Sequence, residues 1–331
     1  MVDLLFNSPQ VAQKVAWMVG AKWDGCNSIC LDSLEQADVQ TALGLAGAEW
    51  CLSYASCSNT SLARSYAKGK RYFHHLDLEG HDISGANLDG VYLSDVNLSA
   101  ANLSGIKMEN AILKSVNLGY ADLTAAVLDD ASLEGVDLYR ANLKGAVLKG
   151  SNAKNTNLEA ANLTDINLSG AMLGDVNLTD ANLSGANLVC ADLIGAELGD
   201  ANLFCANLNG ANLRDANLTD ANLSLAGLIG AKLSGADLSG ANLFHASLND
   251  SNLNGANLSG SNLSGADLSG ADLSYAWLDD ANLDGATLDD ANLDGAKFDG
   301  VAIANWKKAL LLGVHSSSWR RLITKAISLL W

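Results

Sequence analysis

The sequence predicts an all-β solenoid with four-sided coils, and three observations predict it. From Phe73 to Ile303 every fifth residue is Leu, Ile, Phe or Met, with Ala153 the one exception and no insertion. Two positions before each sits a small residue, usually Ala, with Asn or Asp between them, as in Ala101, Asn102 and Leu103. The small position is enlarged at Leu76, Val96, Val116, Val136, Thr156 and Val176, each twenty residues after the last.

Each observation has a physical reading. Alternation over three residues is the period of a strand, so Ala and Leu point inward and Asn outward. Two corner residues follow, often Ser-Gly, Thr-Asp or Asp-Gly. Glycine in the second place, as at Gly85, Gly105, Gly260 and Gly270, suits a type II turn, which needs positive φ there. Asp165 and Asp180 are the usual second choice. Strands this short bury nothing alone and must stack on copies of themselves. A twenty-residue interval spans four five-residue units, so the enlarged residues form one structural column on one wall of a four-sided coil. Val127 and Val147 repeat the interval on the outside.

This A-(D/N)-L-x-x pattern resembles the pentapeptide-repeat family across residues 72–304. The resemblance implies a right-handed quadrilateral parallel β-helix, of about 12 coils and about 55 Å in length at the usual inter-strand spacing. Leu layers would alternate with Ala layers inside, Asn columns would add hydrogen-bond ladders outside, and stability would come from nearest-neighbour stacking. The departures are Ala153, which predicts a void or a compensating shift, and Arg71 and His81, which predict an imperfect first coil.

Residues 1–71 differ in composition and read as a small α-helical N-terminal domain. Ser8 and Pro9 start a helix carrying Val11, Val15, Met18 and Val19. Ser33 and Gln36 form a capping box before Val39, Leu43, Ala46 and Trp50, and a third helix spans 60–68. Its expected role is to cover the top of the β-helix, where strand edges would otherwise stay unpaired; partner recognition is the alternative. Cys26, Cys30, Cys51 and Cys57, even with His74 and His75, lack the usual zinc spacings and read as buried thiols, or as disulfides in an oxidising compartment. Cys190 and Cys205 fall on different walls.

Surface departures mark candidate interaction sites. Tyr92, Ile112 and Met172 replace Asn on one wall, and Val127 and Val147 on the next; either a partner or the N-terminal domain would cover them. Phe204 and Cys205, Ser224 and Leu225, and Phe244 and His245 fall at equivalent corners of successive coils, predicting an apolar ridge in which His245 is a surface residue.

The net charge is −17 over 331 residues, which argues against direct nucleic-acid binding and permits a basic partner. Arg140, Lys144, Lys149 and Lys154 lie mid-chain, whereas Asp279, Asp284, Asp289, Asp294 and Asp299 form an acidic collar near the end of the repeat. The collar would offset the basic tail that follows, with a cation or a basic partner as alternatives. In residues 305–331, Ser318 caps an amphipathic helix with Trp319, Leu322, Ile323, Ala326 and Leu330 on one face and Arg320, Arg321 and Lys325 on the other. That helix is read as a cap, a homodimer contact or a membrane-surface element. Residues 1–7 lack a basic, long apolar leader and no apolar run reaches spanning length, so the protein is read as cytoplasmic.

No phosphate-loop, zincin or nucleophile-elbow motif occurs, so neither enzyme activity nor a cofactor or metal is expected. The expected function is a non-catalytic scaffold presenting a rigid acidic surface to a protein partner that the sequence leaves unknown. The resemblance adds an alternative, because some family members mimic DNA and protect type II topoisomerases such as gyrase. Membrane-surface association through the tail is a third reading.

Overall fold

The computed structural model describes residues 62 and 65–299 in full and the backbone of three short strands nearer the N-terminus. Those strands are β1 (Val2–Leu5), β2 (Lys22–Trp23) and β3 (Ser28–Leu31), and β3 pairs antiparallel with both others. For these residues strand replaces the helical reading. The period-two signals, Val2 with Leu4 and Ile29 with Leu31, are too short to stand out among helical patterns. The helices read at 8–20 and 33–50, Cys26, Cys51 and Cys57, and the tail from 300 onward lie outside the described residues.

Leu62 and residues 65–67 are helical. That helix ends where the sequence places it, because Gly69 takes φ +94° and the N–H groups of Gly69 and Lys70 bond the carbonyls of Tyr66 (2.9 Å) and Ser65 (3.0 Å), a Schellman cap. Leu62 is buried in the common core. The Tyr66 hydroxyl donates to the Asp89 carbonyl (2.5 Å), and Arg71 stacks on the Tyr66 ring at 3.8 Å while donating to the Tyr66 carbonyl. Arg71 therefore fastens this covering segment to the first coil.

From Tyr72 onward, parallel pairing joins each residue to the one twenty later. β4 (Tyr72–His74) pairs with β5 (Tyr92–Ser94), and β5 with β6 (Ile112–Lys114). Isolated bridges continue unbroken from Asp77 with Asn97 to Trp277 with Lys297. Each coil has four walls: the first carries Tyr72, Tyr92 and Ile112, the second Asp77 and Asn97, the third Asp82 and Asn102, the fourth Asn87 and Lys107. Leu76, Val96, Val116, Val136, Thr156 and Val176 lie buried, one directly beyond another, behind the second wall.

Every corner reuses one geometry. The second corner residue has positive φ at every fifth position from His75 to Gly295, non-glycine residues included. Most turns close with the small residue's N–H on the preceding large residue's carbonyl, as Val91 to Leu88 at 3.0 Å. Among the described residues that bond is missing just before Leu76, Val96 and Val116, and it stretches to 3.4 and 3.3 Å at Thr156 and Val176. Bulk alone does not set this, because Val91, Ile106 and Val136 close at 3.0 Å while Ala86 stretches to 3.4 Å; nothing in the structure explains the difference. Ala153 is buried, and its N–H still reaches the Met172 carbonyl at 2.8 Å, so the register survives the missing side chain.

Asn and Asp dominate the outward positions for two reasons. Their Oδ1 accepts the N–H of the first corner residue, as Asn102 from Ser104 at 3.1 Å, and so satisfies a donor the turn leaves over. Their amides also bond the coil before, as along the third wall from Asn162 to Asn142 (2.9 Å) and Asn222 to Asn202 (3.0 Å). Among the described residues no helix is long and apolar enough to cross a membrane.

Candidate interaction surface

The corner between the third and fourth walls changes character over three storeys. Asn202, Asn222 and Asn242 hold it in place through their Oδ1 atoms, which accept from Phe204 (3.2 Å), Ser224 (3.2 Å) and Phe244 (3.3 Å). Backbone bonds from Cys205 to Ser224 (3.0 Å) and from Leu225 to Phe244 (2.9 Å) lock successive corners together. Phe204, Leu225 and Phe244 are 42%, 48% and 42% exposed, and Ser224 is buried between the two phenyl rings' storeys. The His245 ring packs edge-on against Phe244, with centroids 4.2 Å apart. These side chains gather three exposed apolar groups at one corner over three successive storeys, on a surface built mainly from Asn, Ser, Asp and Gly.

A second apolar corner escaped the sequence reading. Ile229, at the corner between the fourth and first walls, is 46% exposed and lies on the same coil as Leu225. Between them the outward position is Gly227, and the Asn209 side chain lies over it, its Oδ1 3.1 Å from where a Cβ would stand. The Ile229 N–H is held by Asn209 Oδ1 at 2.9 Å. Glycine in place of Asn at an outward position, followed by Ile at the corner, is the signal that marks this second apolar corner.

The other predicted patch divides. Tyr92 stacks on Tyr72 at 5.5 Å and pairs with Ile112 on the first wall. Met172, also exposed, is separated from Ile112 by the storeys of Ser132 and Asn152. Val127 and Val147 bridge each other on the fourth wall, beyond a corner bearing Asp129 and Asp130. Cys190 and Cys205 are free and exposed on different corners. Exposed Tyr120, Ile194 and Tyr275 at corners, and Trp277 at an outward wall position, lay outside the sequence reading, since each stands alone in its column and carries no periodic signal.

Charge is arranged in belts. Arg140, Lys144, Lys149 and Lys154 occupy four successive corners, and Asp284, Asp289, Asp294 and Asp299 do the same at the far end. Asp279 lies one storey from Asp299 and accepts its N–H at 2.8 Å. The remaining collar carboxylates point from different corners, and among the described residues no group of His, Cys, Asp or Glu is placed to hold a metal. Two carboxyls sit below their ordinary value: Asp82, through backbone and hydroxyl bonds from Ser84, and Asp267, chiefly through the Ser269 hydroxyl and further through the Asn249 amide.

A family model described as pentapeptide repeats matches in eight copies, covering residues 92–130, 126–165, 161–200, 201–240, 236–274 and 266–301. Among solved structures, HetL, a pentapeptide repeat protein involved in heterocyst differentiation regulation from the cyanobacterium Nostoc sp. strain PCC 7120, is 35% identical over 73% of this chain and 95% of its own, with a TM-score of 0.34. A second Nostoc PCC 7120 pentapeptide repeat protein, alr5209, is 39% identical over 32% of this chain and 84% of its own, with a TM-score of 0.17. QnrB1, a plasmid-mediated fluoroquinolone resistance protein, is 17% identical over 73% of this chain and 97% of its own, with a TM-score of 0.26. No protein of curated function matches the sequence.

Proposed function

Because this chain belongs to the pentapeptide-repeat family, whose members fold as right-handed quadrilateral β-helices and are generally non-enzymatic, we propose that it is a scaffold that presents one corner to a protein partner. The observation that carries this reading is the ridge of Phe204, Leu225 and Phe244, with Ile229 exposed at the next corner of the same coil. Exposed apolar side chains gathered on a polar surface favour association, because burying them against a partner releases water from each. Rigidity adds to this, since stacked corners are already ordered and little conformational entropy remains to be lost on binding.

The topoisomerase reading draws on the net charge of −17. The belt of Arg140, Lys144, Lys149 and Lys154 interrupts the acidic surface that a DNA mimic would carry along its length, so the scaffold reading stands first. The test is a cross-linked pull-down from the native host comparing the unaltered chain with Phe204→Ser, Leu225→Ser and Phe244→Ser combined. Loss of a specific partner with unchanged circular dichroism is expected. Identical captured proteins would remove the ridge from the proposal, and inhibition of gyrase supercoiling by the unaltered chain would move the mimic ahead of it.

A further inference from the structure

The backbone of the β-helix has an axial polarity, and its C-terminal face is the one toward which most N–H groups point. In each five-residue unit the N–H groups of the large residue and the second corner residue donate toward the C-terminus, as Leu78 to Asn97 and Gly80 to Ser99. One N–H, that of the outward residue, donates the other way, as Asn97 to Leu76. One net peptide dipole per unit therefore runs along the axis with its positive end at the C-terminus. Four units per coil, at about 3.5 D each over a rise of about 4.8 Å, give about 3 D per Å, slightly above the α-helix value. The collar of Asp284, Asp289, Asp294 and Asp299 surrounds this positive end, as Asp and Glu gather at helix N-termini.

Both ends of the described coils are largely buried. Phe73 in the first coil is 2% exposed, and Phe298 and Ala286 in the last described coil are 9% and 8% exposed. Exposed Tyr275 and Trp277 stand beside that end, and Lys297 lies over the Trp277 ring at 4.2 Å.

We propose that this acid-rimmed face is the docking surface for residues 306–331 of the same chain. Charge complementarity selects that occupant: the segment carries Lys307, Lys308, Arg320, Arg321 and Lys325 together with the apolar Trp319, Leu322 and Ile323. Its apolar residues cover the inward side chains and the Tyr275 and Trp277 rim, while its cations meet the collar. Length permits this, since residues 306–331 span about 40 Å as a helix and the face is roughly 10 Å across. A second copy set face to face is disfavoured by the polarity, because most N–H groups would meet N–H groups.

Hydrogen exchange on the full-length chain tests the proposal independently of the ridge. One variant reverses the collar (Asp284→Lys, Asp289→Lys, Asp294→Lys), one reverses the tail (Lys307→Glu, Lys308→Glu, Arg320→Glu, Arg321→Glu, Lys325→Glu), and one combines both. Each single reversal is expected to speed exchange at 286–298 by about ten-fold or more while leaving 186–198 unchanged, and the combination to restore protection. The tail variant alters no residue of the described coils, so it stays informative if the collar variant misfolds. Unchanged exchange in the tail variant would overturn the proposal. So would protection that grows with protein concentration alongside a dimer mass, or protection that appears only with phosphatidylglycerol vesicles.

Discussion

Two buried hydroxyls offer a matched test of how this core is held. Ser151 and Ser251 occupy the same small-residue column behind the first wall, five coils apart along the bridge series from Asn152 to Asn252. Ser151 Oγ donates to the Leu148 carbonyl at 2.8 Å, whereas Ser251 Oγ, and Ser261 Oγ behind the third wall, have no partner. All three are within 1% of full burial, and neighbouring positions hold Ala, so replacement by Ala creates neither a clash nor a new environment. An unsatisfied buried hydroxyl costs about 1–3 kcal/mol, while a made hydrogen bond contributes about 0.5–1.5 kcal/mol net. Ser251→Ala and Ser261→Ala should each stabilise by about 1–2 kcal/mol, and Ser151→Ala should destabilise by about 1 kcal/mol. Guanidinium unfolding followed by circular dichroism, with exchange of the local coil amides, reads both signs. Equal loss of stability at all three positions would refute the reasoning, because packing rather than hydrogen bonding would then set the cost.

Further outcomes follow from the same geometry. Leu203→Ala, at a fully buried large position, should cost about 3–5 kcal/mol in transfer and cavity terms and speed exchange first in the coils either side, measurable by site-resolved hydrogen exchange. A Cβ at Gly295, where φ is +74°, would lie 2.7 Å from Tyr275 Cδ1, so Gly295→Ala should lower stability by about 1–2 kcal/mol and rotate the tyrosine, seen as a change in its fluorescence. Asp267 is held below 3.8, so its bonds stabilise the fold above that value and fade as pH falls through the lowered one. Ser269→Ala should move its carboxyl titration upward by NMR; no movement would show that the hydroxyl is not the cause.

The five-residue beat, the four walls and the buried column from Leu76 to Val176 were all legible before any coordinates. The reason is that a solenoid is nearly one-dimensional. Its long-range contacts recur at one fixed separation, so arithmetic on residue numbers stands in for geometry. The ridge of Phe204, Leu225 and Phe244 was readable on the same ground. Periodicity could not report what departs from it or what depends on side-chain geometry. The folded chain separated Met172 from Ile112, exposed Ile229 one corner beyond Leu225 on the same coil, and put strands at Val2–Leu5 and Ser28–Leu31. It alone showed which hydroxyls find acceptors and that the N–H groups point two to one toward the C-terminus. Those properties depend on rotamer and peptide-plane orientation, which residue spacing leaves open and only stacking of whole coils resolves.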